Sequence, residues 1–430
     1  MKKIITYIMA VLFTLTVLFS AAGCGSNDNK GTAENYIKDF LNKDFDKILN
    51  NYDYTATMKS VLNKDGLNEV YYQYIVPLNK FKSITYQSTS QGTISYITEF
   101  ESGSILLRVT FDNKNKISGF HISPYDTLRM PANIIEKEIK IGSLKYRLTG
   151  TLAEPKDIKA DTVVILVQGS GASDRDETVG VLKPFRDIAW SLSQKGVAVF
   201  RYDKRTYTYG AKLAKENDFT VNDEVIDDVV YAYKKMQSLG YKKIYIAGHS
   251  LGGYLMGRIY NALPDANGYI IMAGNVTPIQ DLIVTQIKYI DSLDGTITSA
   301  EQIQINLLEK QSQAINSLSS DNKTDLTNSD LMNAPPSYWI DLKNYDPIGT
   351  MKLCKGRILV LQGAKDYQVT VSEYNKWKSG LLGNGNVEFK LYNNLNHLFM
   401  PSKVMSPDDY NNLNHVDENM IEDIYSFVSK

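Results

Sequence analysis

IYIAGHSLGG, residues 244–253, is the stretch of this sequence on which the fold depends. Its first four residues are apolar and favour extended structure, so they predict a buried strand, and a helix is predicted from Leu251. Ser250 lies between the two, with glycines two residues before it and two residues after it. Larger side chains at those two positions would collide with the neighbouring strand and helix. The stretch therefore predicts a strained turn that presents the Ser250 hydroxyl as a nucleophile.

A serine nucleophile needs a general base, and this chain has four histidines. His397 follows the last predicted strand through a short loop, which places it at the same edge of the sheet as Ser250, so it is the predicted base. His415 lies farther along in a polar stretch and is the alternative. His121 falls in a different predicted domain, and His249 is expected to point away from the hydroxyl beside it.

The base needs an acid that fixes its tautomer, and Asp366 is the predicted acid. It comes just after the buried strand pattern of residues 358–361, between the nucleophile and the base in chain order. A carboxylate at that place can stabilise the imidazolium that forms during the reaction. Asp341 and Asp346 are competitors, but each is expected at the start of a helix or in a loop of a cap segment.

An oxyanion hole needs two N–H donors that point at the developing negative charge. Leu251 follows the nucleophile and is predicted to supply one donor. The loop after the strand ending at Val167 is predicted to supply the other, through the Ser170 amide or, as the alternative, the Gly171 amide. No metal ligand set and no cofactor motif is predicted.

Strands and helices alternate from residue 134 to the end of the chain, which predicts a mainly parallel sheet with helices on both faces. Between about residues 279 and 338 the alternation stops and helical patterns take over, so this segment is predicted to be a helical cap. Residues 33–125 have a different pattern. An amphipathic helix at 33–50 precedes short alternating strands, which predicts a separate small α+β domain.

The first residues have the pattern of an export signal. Lys2 and Lys3 precede an apolar run that ends in small residues, so residues 1–23 are predicted to be a signal peptide. Residues 24–32 are predicted to be a polar, flexible tether. The sequence Ala21-Ala22-Gly23-Cys24 resembles the lipobox of bacterial lipoproteins, which implies a lipid on Cys24 and anchoring to the extracytoplasmic face of the cell membrane.

The balance of charges argues against nucleic acid as a partner. The 47 basic and 48 acidic residues leave a net charge of −1, which provides no positive field for a polyanion. The only cysteine besides Cys24 is Cys354, which precedes a strand pattern and is predicted to be a small buried core residue.

Residues 134–430 resemble the α/β-hydrolase superfamily. Ser250, Asp366 and His397 follow its order of nucleophile, acid and base. The motifs GSGASDRD at 169–176 and FRYDKR at 200–205 resemble a bacterial branch of esterases and dienelactone-hydrolase-like proteins, although Gln168 stands where that branch commonly has histidine. The small domain resembles the cystatin or nuclear-transport-factor shape found before the hydrolase in some bacterial lipoproteins.

The resemblance implies a serine esterase that acts through an acyl-enzyme intermediate on a small acyl ester. Thioester cleavage, peptide cleavage and acyl transfer use the same triad and remain alternatives. So does a non-catalytic protein whose amino-terminal domain binds an envelope partner. Four charged loop residues are predicted to brace loops through ion pairs rather than to catalyse: Asp174, Arg175, Asp203 and Arg205.

Overall fold

The computed structural model describes residues 28–319 and 324–430, which divide into two compact units between Arg129 and Met130. The predicted signal peptide and Cys24 lie outside the described residues. A helix already begins at Asp28, so the prediction of a flexible tether up to residue 32 is wrong for its last residues. No helix in the described ranges is long and apolar enough to cross a membrane.

The amino-terminal unit combines four helices with an antiparallel sheet. Its helices are α1 (Asp28–Leu41), α2 (Phe45–Asn51), α3 (Ala56–Val61) and α4 (Lys64–Tyr74). Its strands pair in sequence order as β1 (Phe81–Ser90), β2 (Thr93–Phe100), β3 (Gly103–Phe111) and β4 (Ile117–Pro124). The single helix predicted over residues 33–50 is wrong, because Lys43 has a left-handed φ of 60° and separates α1 from α2. The small α+β domain itself is confirmed.

The carboxyl-terminal unit is built on an eight-stranded sheet with the spatial order β12-β11-β10-β9-β7-β8-β6-β5. Only β6 runs antiparallel to the other strands. The strands are β5 (Ile134–Gly142), β6 (Arg147–Pro155), β7 (Thr162–Val167), β8 (Ala198–Tyr202), β9 (Lys243–His249), β10 (Gly268–Met272), β11 (Arg357–Gly363) and β12 (Val387–Tyr392).

Helices cover both faces of this sheet, because its central strands are apolar on both sides. The helices are α5 (Pro184–Gln194), α6 (Arg205–Leu213), α7 (Asp227–Ser238), α8 (Leu251–Tyr254), α9 (Met256–Ala262), α10 (Ile279–Asp291), α11 (Ser299–Ser317), α12 (Pro336–Leu342), α13 (Pro347–Lys352), α14 (Val371–Gly380) and α15 (Glu418–Val428). The apolar sides of α5 and α15 pack in the core on one face, and those of α7, α9 and α14 pack in the core on the other.

A π-helical turn, Asn222–Ile226, precedes α7 and continues directly into it. The segment between β10 and β11 is helical, with α10, α11 and α12 in the place where a cap is predicted. The α/β-hydrolase fold predicted for this part of the chain is confirmed.

Candidate active site

Ser250 occupies a strained turn between β9 and α8. Its backbone has φ 52° and ψ −112°, a combination that a residue with a side chain rarely adopts and that costs on the order of 1–3 kcal/mol. The Ser250 N–H donates to the carbonyl oxygen of Met272 at 2.9 Å, which ties the turn to the end of β10. The turn has the strand-to-helix geometry that the sequence predicts.

The glycines around Ser250 are required by close backbone contacts. A Cβ atom added at Gly248 would collide with the carbonyl oxygen of Gly252, and one added at Gly252 would lie 2.6 Å from the carbonyl oxygen of Val167. Both neighbours are main-chain atoms of packed elements and cannot move aside cheaply. Glycine at these two positions therefore allows β9, α8 and the end of β7 to approach one another.

Replacing Gly252 with alanine is expected to destabilise the protein by about 1–3 kcal/mol, because the added methyl group overpacks the turn. Urea unfolding followed by fluorescence measures this loss. Gly210→Ala is the matched control: a Cβ at Gly210 meets no atom within 4 Å, and Gly210 lies in α6. The control should be as stable as the wild type or slightly more stable. Equal stability of both variants would contradict the packing explanation.

His397 and Asp366 form a buried pair. His397 Nδ1 lies 2.7 Å from Asp366 Oδ2, and the two residues are 4% and 0% exposed. The other oxygen of the aspartate, Oδ1, accepts the backbone N–H groups of Gln368 and Val369 at 2.8 and 2.9 Å. The Gln362 amide donates to Oδ2 at 3.0 Å. These donors fix the carboxylate so that it receives the Nδ1–H of His397 and leaves Nε2 as the proton acceptor.

The loop that carries His397 is held by its own backbone and by the turn that carries Ser250. The Asn396 side-chain oxygen accepts the N–H groups of Leu398 and Met400 at 3.0 and 3.1 Å. The centroids of the His397 and His249 rings are 4.6 Å apart. The predicted base therefore packs against His249, the residue that precedes the predicted nucleophile. Within residues 28–319 and 324–430 the Ser250 hydroxyl makes no hydrogen bond. Catalytic hydrogen bonds commonly tighten only when substrate is bound.

The predicted oxyanion donors lie on either side of Ser250. Gly169 packs so closely on Ser250 that a Cβ atom added to it would lie 3.1 Å from Ser250 Cβ. In the part of the chain that the structure describes, the N–H groups of Ser170 and Leu251 donate to no protein acceptor. Gly171, the alternative, has a left-handed φ of 88°. Two uncommitted N–H donors beside the nucleophile are what an oxyanion hole requires.

The competing aspartates and the two histidines outside the triad loops have other partners. Asp341 pairs with Arg258 at 2.8 Å, and Asp346 caps the start of α13 by accepting the Gly349 N–H at 2.9 Å. His415 Nδ1 lies 3.0 Å from Asp187, and His121 Nδ1 lies 3.1 Å from Arg108 on β3. None of these four residues is joined to Ser250 by a contact among the described residues.

Arg175, Asp203 and Arg205 form the predicted ion pairs, whereas Asp174 accepts hydrogen bonds from its own loop. Arg175 binds Asp203 through two nitrogens at 2.9 and 2.6 Å, and Arg205 binds the buried Asp228 at 2.6 Å. Asp174 accepts the backbone N–H groups of residues 176 and 178 at 3.1 and 2.9 Å. These contacts brace the loops that follow β7 and β8.

Three buried charges near Gly169 were not predicted. Glu177 Oε1 accepts the Gly169 N–H at 2.6 Å, and the Lys204 ammonium donates to the Gly169 carbonyl oxygen at 2.6 Å. Lys204 also pairs with Glu224 at 2.5 Å. The N–H and the carbonyl oxygen of Gly169 are therefore both bound to charged groups. Of these three residues only Lys204 lies in a motif named above, FRYDKR at 200–205, and the motif does not say what Lys204 contacts.

The cap segment is tied to the loops that carry the acid and the base. The Gln286 side chain on α10 donates to the carbonyl oxygen of Gln368 at 2.8 Å, two residues after Asp366. The hydroxyl of Tyr289, also on α10, donates to the carbonyl oxygen of Met405 at 2.8 Å. Helix α10 therefore lies beside the predicted site.

Comparisons with known proteins agree with this architecture. Residues 184–302 match the prolyl oligopeptidase family, and residues 33–120 match a family described as a protein of unknown function, DUF3887. Esterase EstD of Thermotoga maritima is 29% identical over 408 residues, which cover 92% of this chain and 94% of the esterase.

Two solved esterases are also similar. The Pyrococcus furiosus esterase Pf2001 has 14% identity and a TM-score of 0.44, and the match covers 69% of this chain and 91% of that one. Est1E of Butyrivibrio proteoclasticus has 15% identity and a TM-score of 0.43, and the match covers 67% and 96%. The strand order and the strained turn at Ser250 are those of the α/β-hydrolase fold, and the similarity to Esterase EstD extends over both units of the chain.

Proposed function

We propose that this chain is a serine carboxylesterase in which Ser250, His397 and Asp366 form the catalytic triad. The observation that carries the proposal is the buried His397–Asp366 pair, 2.7 Å long, on a loop that packs against the strained turn of Ser250. An imidazole held by a buried carboxylate next to an activated serine is the arrangement that acyl transfer requires.

The reaction has two halves. His397 Nε2 takes the proton of the Ser250 hydroxyl as its oxygen attacks the ester carbonyl, and Asp366 stabilises the imidazolium. The N–H groups of Ser170 and Leu251 bind the oxyanion of the tetrahedral intermediate. The imidazolium then protonates the leaving alcohol, and the acyl group stays on Ser250. Water, deprotonated by His397, attacks the acyl-enzyme, and the imidazolium returns the proton to the Ser250 oxygen as the bond to the acyl group breaks and the acid is released.

Esters are the favoured substrates, and peptides are the second candidate. A relative that matches along almost the whole chain is an esterase, which supports ester cleavage. The match of residues 184–302 to the prolyl oligopeptidase family supports peptide cleavage instead. Thioester cleavage and acyl transfer to an alcohol or amine use the same steps and have no specific observation in their favour.

A substrate panel tests the proposal. The purified protein is assayed on p-nitrophenyl esters of increasing acyl length, on matched thioesters and on aminoacyl p-nitroanilides, and it is labelled with a fluorophosphonate probe. Labelling on Ser250 together with faster turnover of esters than anilides supports the carboxylesterase. Faster turnover of anilides would favour the peptidase. Folded protein that neither labels nor turns over any substrate would favour the non-catalytic alternative.

We also propose that the mature protein is anchored by lipid on Cys24 at the extracytoplasmic face of the cell membrane. The support is the sequence around Cys24, with its preceding apolar run and small residues. Such anchoring would place the esterase where it meets extracellular or envelope esters. An envelope partner of the amino-terminal domain stays a prediction.

Cys24→Ala is expected to release the protein from the membrane, because the lipid attachment point is lost. The protein is expressed in a bacterium, membranes are washed with carbonate, and esterase activity is measured in the membrane and soluble fractions. Cys354→Ala is the matched control, since Cys354 is a buried free thiol of the second unit. It should remain in the membrane fraction. Equal fractionation of the two variants would contradict lipid anchoring.

A further inference from the structure

His249 is buried beside Ser250, and each of its ring nitrogens faces an oxygen atom. Nδ1 lies 2.9 Å from Glu177 Oε2, and Nε2 lies 2.9 Å from the main-chain carbonyl oxygen of His397. A neutral imidazole has one N–H and one lone pair, so it can donate toward only one of these oxygens. With Glu177 ionised, both contacts are attractive only when both nitrogens carry protons. The geometry therefore indicates a His249 imidazolium paired with the Glu177 carboxylate.

The surroundings of the ring favour that state. Three other rings enclose it, with centroids 4.6 to 6.4 Å away, and they belong to His397, Phe185 and Phe399. Burial by itself lowers the pKa of His249, but the charge of Glu177, the His397 carbonyl and the Asp366 charge raise it, and the net pKa is raised. The Nδ1–H is not aimed straight at the carboxylate, so the contact with Glu177 is a close ion pair rather than an aligned hydrogen bond.

Glu177 extends this ion pair to the loop after β7. Its second oxygen, Oε1, accepts the Gly169 N–H at 2.6 Å, and the residue is only 6% exposed. Glu177 also has a left-handed φ of 51°, which a residue with a long side chain adopts only when its surroundings impose it. The next residue after Gly169 is Ser170, whose N–H is a predicted oxyanion donor. The carboxylate therefore positions the peptide that precedes this donor.

The Glu177–His249 pair contacts both loops that take part in the proposed reaction. Through Glu177 the pair binds the oxyanion loop, and through Nε2 of His249 it binds the peptide of the general base itself. Neither side chain contacts a substrate atom in the proposed reaction. An ion pair with these two attachments can fix the distance between the oxyanion donor and the base.

Resting on the proposed function of Ser250 and His397, we propose that Glu177 and His249 are positioning residues whose buried ion pair holds the oxyanion loop and the general-base loop in register. Transition-state stabilisation then depends on a proton that is not transferred in the reaction. Removing the charge of Glu177 should make the distance between the oxyanion donor and the general base less well fixed. The three triad side chains themselves stay unchanged.

The first test is kinetic. Glu177→Gln keeps the length of the side chain and an oxygen for the Gly169 N–H, but it removes the charge. We expect kcat for ester hydrolysis to fall roughly tenfold to a hundredfold while KM changes by less than about threefold. Glu154→Gln on β6 is the matched control, because Glu154 pairs with Lys137 at 2.8 Å and accepts from Tyr241 at 2.6 Å. Its kcat should equal that of the wild type.

A double variant tests whether the two residues act as a unit. His249→Gln removes the imidazolium and keeps an amide that can donate to the His397 carbonyl oxygen. If the ion pair is the active element, Glu177→Gln combined with His249→Gln should lower kcat no further than the worse single variant. Independent, multiplying losses in the double variant would overturn the proposal.

The pH profile separates positioning from general damage to the fold. Because Glu177 raises the pKa of His249, this histidine stays protonated at pH values above its ordinary pKa. On the alkaline side, the wild type should therefore lose activity as the pH rises through the raised pKa of His249. Without the carboxylate, burial dominates and the pKa of His249 falls. The alkaline limb of kcat in Glu177→Gln should therefore move toward lower pH. An unshifted limb would overturn the proposal.

A spectroscopic measurement tests the ion pair without any substrate. The chain has four histidines, so ¹⁵N-histidine labelling gives few signals, and the His249→Gln variant identifies the signal of His249. Both ring nitrogens of His249 should keep their imidazolium shifts to a higher pH in the wild type than in Glu177→Gln. Loss of those shifts at the same pH in both proteins would overturn the proposal.

Failure of the proposed function would look different. If the wild type hydrolyses no ester, the carboxylesterase fails, and the rate of Ser250 labelling by the fluorophosphonate takes the place of kcat. The ion pair then still predicts slower labelling of Glu177→Gln than of the wild type and of Glu154→Gln. Equal labelling rates would count against the positioning role itself.

Discussion

Ser250→Ala is expected to lower kcat for ester hydrolysis by about a million-fold, because removing one member of a triad that acts as a unit costs nearly as much as removing all of it. The methyl group of alanine takes the place of the serine Cβ, and the backbone N–H can still donate to Met272. The substitution removes only the hydroxyl and should leave the fold intact. Steady-state kinetics on the best p-nitrophenyl ester, with unfolding curves of the same preparations, measures both effects.

Ser193→Ala is the matched control for that experiment. Ser193 is buried on α5, and its hydroxyl has no hydrogen-bond partner in the described chain, so its loss should change neither activity nor stability by much. Ester hydrolysis by Ser250→Ala at a rate comparable to that of Ser193→Ala would rule out Ser250 as the nucleophile. Contamination by a host esterase is excluded when fluorophosphonate labelling is lost with the activity.

Asp366→Asn should lower kcat about ten-thousand-fold by imposing the wrong tautomer on His397. Oδ1 of Asp366 accepts two backbone N–H groups, so the oxygen of the new amide will remain at that place. Its NH₂ group must then replace Oδ2, where it faces His397 Nδ1. Nδ1 becomes the acceptor, Nε2 carries the proton, and the base can no longer take the proton of Ser250. The NH₂ group also meets the Gln362 amide, which donates to Oδ2 in the wild type.

Asp346→Asn provides the comparison for the acid. Asp346 is one of the two competing candidates, and it caps α13 through the Gly349 N–H. Asparagine is about as good an N-cap as aspartate, so both the helix and the activity should survive. A large loss of kcat in Asp346→Asn with little loss in Asp366→Asn would reassign the acid. Similar losses in both would show that the assay responds to stability rather than to the tautomer of His397.

Most of the hydrolase fold could be predicted because its signals are local. The apolar run before Gly248 and the glycine spacing around Ser250 describe a strand and a turn without reference to distant residues. His397 and Asp366 could be predicted by elimination, since few histidines were available and parallel strands bring their ends to one edge. Their 2.7 Å contact agrees with that reasoning.

What could not be predicted depends on contacts between distant segments. Glu177 and His249 meet because β7 and β9 pair side by side, and nothing in the pattern of either segment indicates that contact. For His249 the sequence predicts only that its side chain points away from the nucleophile. Its carboxylate partner and its contact with the His397 peptide depend on tertiary packing, which hydrophobic periodicity does not report.

The break between α1 and α2 shows a second limit. Apolar residues continue at helical spacing on both sides of Lys43, so the period favours one helix over residues 33–50. The left-handed conformation at Lys43 is required for α2 to turn back and bury Phe45 and Ile48 in the core of the small unit. Burial in the core therefore prevailed over the local pattern.

The binding of Gly169 on both sides has a consequence for changing the substrate range of this protein. Gly169, whose N–H is bound to Glu177 and whose carbonyl oxygen is bound to Lys204, cannot shift to suit a new acyl group without breaking hydrogen bonds to two buried charged groups. Libraries that randomise the loop after β7 should consequently yield mostly inactive clones. Useful variation should come from α10 instead, where the Gln286 and Tyr289 side chains contact the acid and base loops through main-chain carbonyl oxygens.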